Sequence, residues 1–85
     1  MPTQVQIRYF ASLREALGAG ETLSVDADAT VAAVRDLLRA RSPAHAQALA
    51  RERAVRCALN QSMCEEAAAV RNGDELAFFP PVTGG

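Results

Sequence analysis

Three stretches of the chain alternate polar and apolar residues with a period of two, and one repeats its apolar residues with a helical period. Residues 3–10 (TQVQIRYF) put Val5, Ile7 and Tyr9 on one face and Gln4, Gln6 and Arg8 on the other. That is the pattern of a strand with one face buried. Residues 21–27 (ETLSVDA) alternate again through Leu23 and Val25, and residues 55–60 (VRCALN) through Val55, Cys57 and Leu59. Residues 31–40 (VAAVRDLLRA) instead carry Val31, Val34, Leu37 and Leu38 at helical spacing, with Arg35, Asp36 and Arg39 assigned to the other side. A last strand is predicted over residues 75–79 (ELAFF), after which Pro80 and Pro81 remove the backbone donors a ladder needs.

The residues between these stretches supply starts and stops. Ser12 and Glu15 in SLRE fit a capping box for a short helix running to Leu17 and ended by Gly18 and Gly20. Thr30 stands where the main helix needs an N-cap, and Ser42 with Pro43 opens a second, alanine-rich helical stretch over residues 43–53. A short edge strand is expected around residues 62–64, and Asn72-Gly73 marks a turn. The first two strands are joined by a short segment, which favours antiparallel pairing. The predicted class is α+β: a mixed sheet of four or five strands packed on one main helix.

Length and charge then narrow the functions available. Eighty-five residues make one domain, and at this size folding buries only about 60–65% of the surface of the unfolded chain. That leaves little room for an enclosed catalytic pocket. The net charge of −1 lacks the concentrated basic surplus of a nucleic-acid binder. Every cationic side chain is arginine, so the chain offers no lysine amine as an acyl acceptor for itself. The start, MPTQVQIRYF, is not a signal peptide, and no apolar run is long enough to span a membrane. Two cysteines, Cys57 and Cys64, are too few and too loosely spaced for a disulfide framework or a zinc knuckle. A cytoplasmic protein with reduced thiols is the expectation.

The interior offers no convincing chemistry. His45, the only histidine, has no serine or cysteine partner at a recognisable spacing and is assigned to a solvated helix face. Cys57 falls on the inward phase of a strand, where cysteine acts as a small hydrophobe, and nothing near Cys64 in sequence lowers its pKa enough to hold a persulfide. The carboxylates are scattered, and Gly18 and Gly20 do not form a phosphate loop. No metal site is predicted.

The C-terminal stretch FFPPVTGG is different. Alternation sends Leu76 and Phe78 to the core and turns Ala77 and Phe79 to the other face, making Phe79 the start of an exposed docking patch. Pro80 and Pro81 stiffen the exit in an extended form. Five residues from Pro81 to Gly85 reach roughly 17 Å at about 3.4 Å each. Gly84 and Gly85 have no side chains, so that tip fits a channel too narrow for any other residue. Residues 1–80 thus read as the domain and residues 81–85 as an extended tail.

The residues NGDELAFFPPVTGG (72–85), with weaker likeness in VQIRYFASLRE, TVAAVRDLL and VRCALNQ, resemble the MoaD-type sulfur carriers, small subunits of molybdopterin synthase with a ubiquitin-like β-grasp fold. The resemblance implies a role in molybdenum cofactor biosynthesis centred on Gly85. Its carboxylate would be adenylated by a MoeB-type adenylyltransferase using ATP and magnesium, and this chain would bind no cofactor itself. A sulfur donor of the cysteine-desulfurase kind would then displace AMP and leave a thiocarboxylate, a far better nucleophile. The tail would insert into a MoaE-type large subunit in a heterotetramer and pass sulfur to cyclic pyranopterin monophosphate. By the same resemblance, Gly84 and Gly85 do the chemistry, while Phe79, Pro80, Pro81, Val82 and Thr83 engage the partner. Sulfurtransferase activity would belong to the pair of subunits, with the acid–base residues on the large one. Two alternatives share the tail: a carrier for thiamine or cysteine synthesis, and a ubiquitin-like modifier of other proteins.

Overall fold

The computed structural model describes residues 3–81. Along the chain the elements are β1 (Thr3–Tyr9), α1 (Ala11–Leu17), β2 (Gly20–Val25), α2 (Val31–Arg39), α3 (Pro43–Ala48), β3 (Arg56–Leu59), β4 (Ser62–Cys64) and β5 (Glu75–Phe79). The strands form one sheet in the order β2-β1-β5-β3-β4. β1 and β5 run parallel at its centre, and every other pairing is antiparallel, so the sheet is mixed.

β1 buries every second residue along its length, as its alternation requires. Its register with β2 sets Ile7 opposite Glu21 and Arg8 opposite Gly20. A Cβ on Gly20 would stand 2.2 Å from the Ile7 carbonyl oxygen, so only glycine permits this approach. At the far edge, Asn60 and Gln61 both adopt positive φ (51° and 70°) in the two-residue turn joining β3 to β4. This is the hairpin geometry whose twist matches that of the flanking strands. The Asn60 side chain also ties the turn to β5, donating to Asp74 Oδ1 and accepting from the Glu75 amide, each at 3.0 Å.

Helix α2 supplies the core from one side of the sheet. Val31, Val34 and Leu38 are fully buried and cluster with Val5, Ile7, Leu76 and Phe78. Its first amides are all satisfied: Val31 and Ala32 donate to the carbonyls of Ala68 and Glu66, and Ala33 donates to Thr30 Oγ1 at 3.2 Å. Ser42 caps α3 in the same way through the His45 amide, with Pro43 in the first turn.

Four expectations change, the first being that α3 ends at Ala48 and does not run to residue 53. Ser12 does not cap α1. The N-cap is Phe10, whose carbonyl accepts from Leu13 and Arg14, because Ala11 takes a left-handed conformation (φ 53°) and starts the helix directly from β1. Ser12 is by then inside the first turn. Leu37 is exposed rather than buried, and Arg35 is buried rather than exposed. Position 35 lies four residues from Val31 and three from Leu38, so it falls in the middle of the stripe facing the sheet. Leu37 falls beside it.

Arg35 is only 3% exposed and is fully used. Its guanidinium donates to the carbonyls of Leu49 (2.9 Å), Ala50 (2.6 Å) and Arg53 (3.2 Å) and to Glu66 Oε2. Glu66 also pairs with Arg51, which reaches Asp36 at 2.8 Å. The irregular segment after α3, in which the Arg53 amide donates to the Ala50 carbonyl at 2.9 Å, is thereby held against α2.

Candidate functional site

β5 carries the chain to the site. It is hydrogen-bonded on both sides, and its Phe78 carbonyl takes a further bond from the Phe10 amide at 3.2 Å. Leu76 and Phe78 are buried, as alternation predicts. The strand ends at Phe79, opposite Arg56 on β3. Pro80 and Pro81 are half-buried and form one wall of a groove of about 280 Å³, with Ser12 and Leu13 of α1 and Arg53 and Val55 of the segment before β3 lining the rest. The exit of the chain is therefore fixed to one end of the sheet by packing and by the lost amides. Val82, Thr83, Gly84 and Gly85 lie outside the described residues.

The sheet face opposite α2 surrounds this exit. Ala58, Ala77 and Phe79 lie on it, with Met63 opposite Ala58 and Arg8 opposite Ala77. Ala58 and Ala77 are screened from water yet stand outside the core cluster, which makes the centre of the face flat and apolar. Met63 is 61% exposed, and Phe10, next on the outward phase of β1, is 45% exposed. Phe79 is half-buried, not exposed as expected, so the aromatic most open to solvent on this face is Phe10 rather than Phe79. A flat apolar centre rimmed by Arg8 and Arg56 has the make-up of a protein-docking surface. Phe10 was legible as the residue after Gln4, Gln6 and Arg8 on the polar phase. Met63 was not, because its facing depends on the hairpin register.

His45 is not on a solvated face. Its Nε2 lies 2.8 Å from Glu21 Oε2 and its Nδ1 lies 2.7 Å from Ser42 Oγ, while the Tyr9 hydroxyl donates to the same Glu21 oxygen at 2.7 Å. Arg41 reaches the other Glu21 oxygen at 2.8 Å. These five residues tie β1 and β2 to the start of α3. Burial pushes the Glu21 carboxyl up, but the hydrogen bonds from His45 and Tyr9 and the charge of Arg41 outweigh it and hold the pKa below its ordinary value. Burial first, and then the carboxylate beside it, push the Tyr9 phenol well above its ordinary value. The cluster is a latch, in which the Tyr9, Glu21, Ser42 and His45 side chains turn toward one another.

A further concavity among the described residues, about 700 Å³, is an open groove lined by Asp26, Asp28, Asp36 and Leu37. It shares no residue with the tail root, and its Asp36 is already paired with Arg39 and Arg51. Among the described residues, no three His, Cys, Asp or Glu side chains are grouped to hold a metal ion, and no helix is long and apolar enough to cross a membrane. Cys57 and Cys64 are direct partners across β3 and β4, a placement their spacing in sequence did not suggest.

Comparison with known proteins fits the geometry. Residues 7–85 match the ThiS family. The molybdopterin synthase sulfur carrier subunit of Haemophilus influenzae is 41% identical over 81 residues, covering 95% of this chain and 99% of the relative. Its Escherichia coli counterpart is 40% identical over 82 residues with the same coverage. Among solved structures, small archaeal modifier protein 1 of Haloferax volcanii superposes with a TM-score of 0.78 at 30% identity, over 94% of this chain and 99% of its own. A chain of the complex between subunits 1 and 2 of molybdopterin-converting factor from Helicobacter pylori matches with a TM-score of 0.65 at 21% identity, over 98% of this chain and 100% of that one. The last likeness speaks to fold alone. The architecture common to them is the ubiquitin-like β-grasp, an α+β fold with a mixed five-stranded sheet.

Proposed function

The chain belongs to the ThiS family, and from that premise we propose that it is the sulfur-carrying small subunit of a molybdopterin synthase. The observation that carries this reading is the near-full-length identity to two proteins of that name, 41% and 40%. The geometry supports it: a strand buried in the sheet ends in two packed prolines, and a flat apolar face lies beside the exit. In this reading residues 1–80 are the carrier domain and residues 81–85 the tail.

A carboxylate is a poor electrophile, so Gly85 must first be activated. An adenylyltransferase would join it to AMP at the expense of ATP with magnesium, releasing pyrophosphate. The persulfide of a cysteine-desulfurase-type donor would then displace AMP to give an acyl disulfide. A second thiol would reduce that S–S bond, itself becoming a disulfide, to leave the thiocarboxylate, whose sulfur is the nucleophile delivered to cyclic pyranopterin monophosphate. The dithiolene needs two sulfurs, hence two loaded carriers per product. Phe79 and the outer sheet face would seat the carrier on the large subunit, with Pro80, Pro81, Val82 and Thr83 aiming Gly84-Gly85 into its pocket. The two curated relatives are named as subunits of molybdopterin synthase, which supports a two-subunit partnership of this kind.

Intact mass after incubation with ATP, activating enzyme and a sulfur source tests the reading. Exchange of one oxygen for sulfur on Gly85 is expected, and an unchanged mass with active partners would refute it. A second reading, a protein modifier, is favoured by the likeness to small archaeal modifier protein 1. It requires adducts on lysines of other proteins, visible as higher bands on a denaturing gel.

A further inference from the structure

Cys57 and Cys64 have no part in the carrier chemistry, yet the hairpin brings them together. The two-residue turn at Asn60-Gln61 sets Leu59 opposite Ser62 and so Cys57 opposite Cys64, both on the inner face. A slip of one residue would send Cys64 to the outer face. The two sulfurs are 3.3 Å apart, with the Cys64 thiol donating to Cys57 Sγ and the Cys57 thiol donating to the Cys64 carbonyl at 3.4 Å. Little movement brings such a pair to the bonding distance of about 2.05 Å. β4 is the edge strand, paired only with β3, so it can shift without disturbing a second ladder.

The two thiols differ in access. Cys57 is buried, and Cys64 is half-exposed at the sheet edge. We propose that they form a thiol–disulfide exchange site for low-molecular-weight disulfides, in which Cys64 attacks and Cys57 resolves. In the first step the Cys64 thiolate, its proton given to solvent, attacks one sulfur of the small disulfide. A mixed disulfide forms on Cys64, the small disulfide bond breaks, and one thiolate leaves and takes up a proton. In the second step Cys57 sulfur attacks Cys64 sulfur, and the second small thiolate leaves with the proton that Cys57 gives up. The protein loses two electrons and two protons, and the small disulfide becomes two thiols.

The roles follow from the surroundings. Burial, followed by the hydrogen bond with Cys64, pushes the Cys57 thiol up to about 12, which suits a group that reacts only with its neighbour. Ala58 and Met63 point to the opposite face, so closing the bond leaves the docking surface in place. In a reducing compartment such a bond is transient, the behaviour of a redox-responsive pair.

The reduced full-length protein, incubated with oxidised glutathione and followed by intact mass, provides the test. Wild type is expected to pass through a single glutathione adduct to a monomer lighter by two hydrogens, and dithiothreitol should restore the starting mass. Cys57→Ser should stop at the adduct, and Cys64→Ser should lose adduct formation. A wild-type protein that keeps its adduct, or that closes only between two chains, would overturn the proposal whatever the variants do. Equal reaction of the two variants would overturn the assignment of roles.

Discussion

Leu76 and Phe78 point from β5 into the helix-covered core, while their neighbours Ala77 and Phe79 point to a face where Gln4, Gln6, Arg8 and Arg56 stand exposed. One strand therefore serves two surfaces. The inner one is large, branched and aromatic, and closed by α2. The outer one has small residues at its centre, larger apolar ones at its edge and arginines at its rim. Burial alone does not separate them, since Ala77 and Phe78 are both buried. What separates them is whether the burial belongs to the core cluster. Substitutions on the inner face should cost stability, and those on the outer face should cost partner binding.

Phe78→Ala is the harshest test. Phe78 is 1% exposed, and its truncation should cost about 3–5 kcal/mol in urea unfolding. A loss no larger than that of an outer-face variant would erase the distinction. Arg35→Ala comes next, since it strands the Leu49 carbonyl, leaves Glu66 to Arg51 alone and removes the tie between α2 and the segment after α3; a loss of about 3 kcal/mol is expected in the same assay. Phe79→Ala should lower stability by under about 2 kcal/mol while weakening association with the large subunit about tenfold or more, read by calorimetry. Met63→Ala should change stability by no more than about 0.5 kcal/mol and weaken the same association only a few-fold.

A gentler probe is pH. For both Glu21 and Glu66, burial raises the carboxyl, but hydrogen bonds from His45 and Tyr9, and from Arg51 and Arg35, leave each below the ordinary 4.5. A depressed acid binds its proton less readily when folded, so its contribution is complete above about pH 4.5 and fades as pH falls through the folded value. The melting temperature should fall on acidification below that point, and Glu21→Gln should flatten the fall. A profile unchanged by that substitution would show that the Tyr9–Glu21–His45 latch contributes nothing to acid stability.

The sequence reveals what depends on neighbours close along the chain. The β1 alternation, the Thr30 and Ser42 caps and the proline stop after Phe79 all lie within a few residues of what they control. The misplaced features depend on distant partners. Arg35 is buried because carbonyls 14 to 18 residues away and Glu66, 31 away, converge on it. His45 meets Glu21 across 24 residues. The Ser12 capping box failed for a local reason, since the positive φ of Ala11 let Phe10 open the helix. Met63 and the cysteine pair needed the hairpin register. The outer sheet face was half legible, through Phe79 and the outward phase of β1.

The central claim, that the domain exists to present a reactive C-terminal glycine, is tested most directly by altering only that end. Wild type, a Gly85 deletion and a chain extended by one residue should share one circular dichroism spectrum and one melting temperature. In a reconstituted assay with activating enzyme, sulfur donor, large subunit and cyclic pyranopterin monophosphate, only wild type should yield the dithiolene product. Product from the deleted or extended chain at a comparable rate would contradict the claim.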